Sequence, residues 1–176
     1  YPAAFHDAAS LVMHAFPATL TAPTNAVLIV ISAVVWPLSC LALAKTVLPG
    51  GWATALGAAA ACSALPAFPM LFLWWGVLYP NLYGLALVPA ALALAAQFLR
   101  LGSARMAPWM ALLLLALAAP GLALSHPNAV LTLAVAVAPA LAWHVLREVG
   151  RLRKVGSSAL RLSGSLGLAV AFAVVV

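Results

Sequence analysis

Residues able to do chemistry are scarce in this sequence, and most fall in three short strings. The first is Tyr1-Pro2-Ala3-Ala4-Phe5-His6-Asp7, which sets an imidazole beside a carboxylate. A carboxylate such as Asp7 suits a general base or a metal ligand, and His6 suits donation to a phosphate. The same Asp7 also suits the first turn of a helix, where negative charge complements the dipole. The second string is Leu78-Tyr79-Pro80-Asn81-Leu82-Tyr83-Gly84. Its two tyrosines are four residues apart and offer hydroxyls on one helical face, with Pro80 fitted to a first helical turn. An aromatic belt at a helix start gives the same pattern. The third, Ser125-His126-Pro127-Asn128, reads as a tight connection into another helix, with polar groups at its tip. These strings supply the candidate site: Asp7 and His6 as catalytic groups, and Tyr79, Asn81, His126 and Asn128 as substrate contacts. A divalent metal at Asp7 is the one cofactor they suggest. His6 and His14 lie about 12 Å apart along a helix, too far to share a zinc ion.

The elements that must hold these groups follow from composition. The chain has 176 residues, 67% hydrophobic and 6% charged, with a mean hydropathy of +1.18. Soluble domains carry about 25% charged residues, and a globule must cover its outside with something water tolerates. Here the solvent must be lipid. In hydrocarbon only helices and closed barrels satisfy their own backbone, and continuous Ala/Leu runs without alternation exclude a barrel. The expected fold is all-α, a polytopic transmembrane helix bundle. Spans of roughly 20 residues fit 25–48, 52–75, 80–101, 105–124 and 127–147, with a sixth starting at 165–176. Pro66 and Pro69 should break the second. Residues 1–24 form an amphipathic helix and a loop: His6, Asp7, Ser10 and His14 share an arc of about 100°, with Phe5, Ala8, Ala9, Val12 and Phe16 opposite. Gly57, Ala61, Gly84 and Gly121 suit close helix approach. Cys40 and Cys62 sit in apolar runs without metal-binding or redox spacing and read as packing residues.

Charge sets the expected topology. Lys45, Arg100, Arg105, Arg147, Arg151, Arg153, Lys154 and Arg161 all fall in connections on one side of an alternating bundle. The opposite connections, 1–24, 76–79 and 125–128, hold no Lys or Arg. This is a positive-inside pattern, with the basic loops cytoplasmic and the N-terminal segment on the outer face of the cell membrane. The net charge of +6 is therefore a topology signal and not a nucleic-acid surface. The basic segment 148–164 is expected at the cytoplasmic surface, against lipid headgroups. Trp52, Trp109 and Trp143 fit that interface, and Trp74 and Trp75 fit the other. Tyr1, His6, Asp7, His14, Asn25, Tyr79, Asn81, Tyr83, His126 and Asn128 then share the outer face. The chain begins at Tyr1 and stops inside an apolar run, so a fragment of a larger protein is expected.

The strings YPAAFHDAASLV, PTNAV, VVWPL, FPMLFLWWGVLYPNLYGLALVPAALAL and SHPNAV, in this order, resemble an actinobacterial family of large multi-pass membrane proteins without an assigned activity. Its members are similar in layout to the GT-C glycosyltransferases. That resemblance implies an outer-face reaction using a polyprenyl-phosphate sugar donor to build cell-envelope polysaccharide or glycolipid. It does not carry a catalytic role onto Asp7, because the class places its acid in a first outer loop that would precede Tyr1. Expected partners are membrane lipids, the sugar donor, and partner subunits or the remainder of the same chain. A transporter or flippase of an envelope precursor, and a non-catalytic scaffold of an envelope-assembly complex, are the alternatives.

Overall fold

The computed structural model describes residues 3–16, 19–75, 78–103 and 105–155. The expected sixth span at 165–176 and the end of the basic segment lie outside them. Every regular element described is helical: α1 (Ala4–Ala15), α2 (Thr21–Val47), α3 (Gly51–Ser63), α4 (Pro66–Trp74), α5 (Tyr79–Phe98), α6 (Pro108–Ser125) and α7 (Pro127–Val155). Helices α2, α5, α6 and α7 are each long and apolar enough to cross a membrane, and α3 and α4, bent by 40°, are together long and apolar enough for a broken span or a re-entrant loop. Pro80, Pro108 and Pro127 occupy first turns, where the missing N–H has no intrahelical partner to lose.

Proline also shapes the interiors. Pro37 cannot donate to the carbonyl four residues back, and its ring crowds that carbonyl. Helix α2 answers by widening into a π-turn over Ile31–Val35, where the Trp36 N–H reaches back five residues to Ile31 O. At the α3–α4 junction Leu65 and Phe68 are extended, so helix stops and restarts there. The indole Nε1 of Trp36 donates to the Cys62 carbonyl at 3.3 Å, giving one end-of-helix carbonyl of α3 a partner. Phe68 closes the break by packing edge-on to Trp36 at 4.4 Å.

These contacts fix the path of the broken segment. Lys45 Nζ lies 4.5 Å from the centre of the Trp52 ring at one end of α2. Trp36 meets Cys62 and Phe68 midway, and Leu73 lies with Asn25 and Leu28 at the other end. The segment thus runs antiparallel along α2.

Helix α5 is the axis. More than half of its apolar window (56%) is buried, against 22% for α6 and 17% for α7. It packs on α2, α6 and α7. Gly84 makes one crossing close: a Cβ there would sit 3.0 Å from Ala129 Cβ and 3.3 Å from His126 Cβ. The expectation of close approach at Gly57 and Gly121 fails, since nothing lies within 4 Å of either would-be Cβ.

Helix α7 runs on to Val155, so the first residues of the expected surface segment 148–164 continue the fifth span. Leu, Arg, Glu and Lys are good helix formers, and charge ends the membrane-compatible stretch without ending the helix. Glu148 and Arg151 pair on it at 2.8 Å.

Candidate functional site

The first catalytic candidates ride on α1. This helix docks through Phe5, which is 2% exposed and meets the Tyr79 ring at 5.4 Å, and through buried Ala9. The amphipathic reading explains the docking: the opposite face carries His6, Asp7, Ser10 and His14, all exposed. Phe16, expected on the packed side, is exposed at the helix end. His6 touches the Phe5 ring edge-on at 5.7 Å. Asp7 lies in the first turn of α1, and its carboxylate makes no hydrogen bond or ion pair among the described residues.

Tyr79 and Asn81 open α5, beside the docked α1. Tyr79 is half-buried by Phe5. The Oδ1 of Asn81 is buried with no hydrogen-bond partner among the described residues. His126 has a local structural task. Its backbone is extended, and its Nδ1 accepts the Asn128 N–H at 3.1 Å while its carbonyl accepts the Ala129 N–H at 3.0 Å. It therefore caps α7 as a side-chain acceptor. A neutral ring that accepts at Nδ1 carries its proton on Nε2, so that edge is the donor. Asn128 is exposed in the first turn of α7.

All six candidates therefore share one end of the bundle. Helix α1 contacts α2, α5 and α6 there, and Gly84 draws His126 against α5. They do not converge on a single pocket. Among the described residues no group of three or more His, Cys, Asp or Glu side chains could hold a metal ion.

The same end holds a groove of about 460 Å³ between α2, α4 and the start of α5. Leu28, Ile29, Ala33 and Leu73 form its apolar walls, and Asn25, Ser32 and Tyr79 supply polar groups. Of the six candidates only Tyr79 lines it. The Ser32 Oγ is buried there without a hydrogen-bond partner among the described residues. An orphaned buried hydroxyl costs about 1–3 kcal/mol, which marks it as a position kept for another reason or met by a ligand. Sequence reasoning passed over Ser32. A lone hydroxyl within an Ile/Val run, just before Trp36-Pro37, was the available signal.

The opposite end collects cations. The Ser103 N–H donates to Thr46 O at 2.8 Å, joining the Lys45 end of α2 to the connection carrying Arg100 and Arg105. Trp143 lies under Arg147 at 5.6 Å, as Trp52 lies under Lys45. The cations thus lie at the end of the spans opposite His6, Asp7 and His126, with His144 beside Arg147 on α7.

Comparison with curated proteins and with solved structures found no match. One family model matches residues 1–176, the whole chain. This polytopic helical protein, with Lys45, Arg105 and Arg147 at one end and His6, Asp7 and His126 at the other, belongs to the family of unknown function DUF6541.

Proposed function

We propose that this protein is a membrane-embedded GT-C-like glycosyltransferase, or an inactive relative, that meets a polyprenyl-phosphate sugar at its histidine end. The observation that carries this reading is the groove between α2, α4 and α5. Its apolar walls and few polar groups suit an amphiphile with a hydrocarbon chain and a polar head. Asp7, exposed on α1 at the same end of the bundle, is the base that takes the proton of an acceptor hydroxyl. The freed oxygen attacks the anomeric carbon, and the carbon–oxygen bond to the lipid phosphate breaks with its electron pair leaving on the phosphate. His6 and the hydroxyl of Tyr79 are donors for that leaving group, and Asn81, His126 and Asn128 contact sugar or acceptor. Positive charge is scarce at this end, so hydrogen-bond donors carry the stabilisation.

The test is sugar transfer from a polyprenyl-phosphate sugar by the full-length protein in vesicles. Asp7→Asn should lower transfer by about 100-fold or more, and Ser32→Leu, which fills the groove, should raise the donor KM. Unchanged transfer in Asp7→Asn removes the carboxylate from the mechanism. A second reading has its own support: the break at Leu65 and Phe68 interrupts a span, as discontinuous helices do in transporters. Movement of the lipid-linked sugar across liposomes without glycan formation favours that reading.

A further inference from the structure

The cationic end holds a pocket that the glycosyltransferase reading does not use. It has a volume of about 260 Å³ and lies between α2, α3, the end of α5 and the following connection. Lys45 and Arg105 both line it, with Thr46, Gln97 and Ser103 as neutral polar groups and Leu38, Leu41 and Trp52 as apolar wall.

Its frame is fixed by side chains. Gln97 Oε1 accepts the backbone N–H groups of Arg105 at 2.8 Å and Met106 at 3.1 Å, and its Nε2 donates to Thr46 Oγ1 at 3.4 Å. The Thr46 hydroxyl in turn donates to Ala42 O at 2.9 Å. Gly102, at φ +61°, passes so close to the Thr46 carbonyl that a Cβ would collide with it. Arg105 is therefore carried by a clamped turn, and Lys45 is steered by the Trp52 ring 4.5 Å away.

Neither cation has an anionic partner among the described residues. The chain has two acidic residues. Glu148 is paired with Arg151, and Asp7 sits on α1 at the other end of the bundle. Two unneutralised cations at the rim of an apolar pocket favour a ligand with an anionic head and a hydrocarbon tail. At this depth the source of such a ligand is the bilayer itself.

We infer that this pocket is a binding site for an anionic phospholipid, its phosphate held by Lys45 and Arg105 and the start of its acyl chain lying on Leu38, Leu41 and Trp52. The full chain in detergent micelles, mixed with phosphatidylglycerol or with phosphatidylcholine of the same acyl chains, is read by native mass spectrometry. Phosphatidylglycerol should be retained preferentially. Lys45→Gln and Arg105→Gln should each weaken its retention about five-fold and together about 25-fold, while Arg151→Gln changes nothing. Lys45→Arg should restore binding. If the double variant fails to fold, raising the salt on the unaltered protein must itself lower retention of phosphatidylglycerol alone. Equal retention of the two lipids overturns the inference, as does full retention by the double variant. Inorganic phosphate that competes as well as the lipid reduces the pocket to an anion site without a lipid and overturns it too.

Discussion

The two ends of this bundle are held together by different means. At the histidine end the joint is backbone against backbone: Gly84 lets α5 approach the His126 turn, and a docked α1 covers the start of α5 with Phe5. Of the polar groups there His6, Asp7 and Asn128 are exposed, while the Asn81 Oδ1 is buried and His126 caps α7. At the cationic end the joint is a side-chain network, with one amide, Gln97, bonded to two backbone N–H groups and a threonine hydroxyl. One end thus turns Asp7 and Asn128 outward, toward what lies outside the chain. The other builds its polar groups into a frame and leaves only cations over.

Gly84→Leu tests the first joint and should have the largest effect. The added side chain must push α5 from Ala129 and His126, at a cost of about 3 kcal/mol in an unfolding titration. An unchanged midpoint would mean that the crossing is looser than described. Gln97→Leu tests the second. It strips the Arg105 and Met106 N–H groups of their acceptor and should destabilise by about 2 kcal/mol. Water reaching that turn would reduce the loss, and a value near zero breaks the contrast between the two ends.

The remaining substitutions sharpen it. His126→Ala should cost about 1 kcal/mol as a lost cap, and His126→Asn should recover most of it. If His126→Asn restores stability but not activity, the ring has a second role beyond the cap. Arg100 has φ +58° just past the end of α5, where the Leu101 N–H closes back onto Ala96 O at 2.8 Å. Glycine is the usual residue in that position. Arg100→Gly should therefore raise stability by about 1 kcal/mol. It should also weaken the bias in membrane orientation, since it deletes one of the charges that sets it.

Much of this was legible in the sequence, for physical reasons that differ by element. The spans declare themselves because lipid tolerates only long apolar helices, so Thr21–Val47 and Pro127 onward could be placed within a few residues. The shared ends followed from alternation. The Lys45 and Arg105 connections meet through Thr46 and Ser103, as odd and even crossings require. What the sequence hid depends on packing between distant residues. Nothing local tells that Gly84 touches Ala129 while Gly121 touches nothing. Gln97 looked like an ordinary polar residue near a helix end, and its role appears only when the turn that follows folds back onto it. The candidate site was legible as a face and not as a pocket: charge counting finds an end of the bundle, but it cannot tell which side chains on that end turn inward.

We propose that the end carrying His6 and Asp7 and the cationic end lie on opposite sides of one membrane. Single cysteines at Ser10 and at Ser103, both exposed, in a background lacking Cys40 and Cys62, test it directly when intact cells are treated with an impermeant maleimide. Labelling of Ser10→Cys without permeabilisation, and of Ser103→Cys only after it, is the predicted result. Labelling of both from the same side would contradict the account.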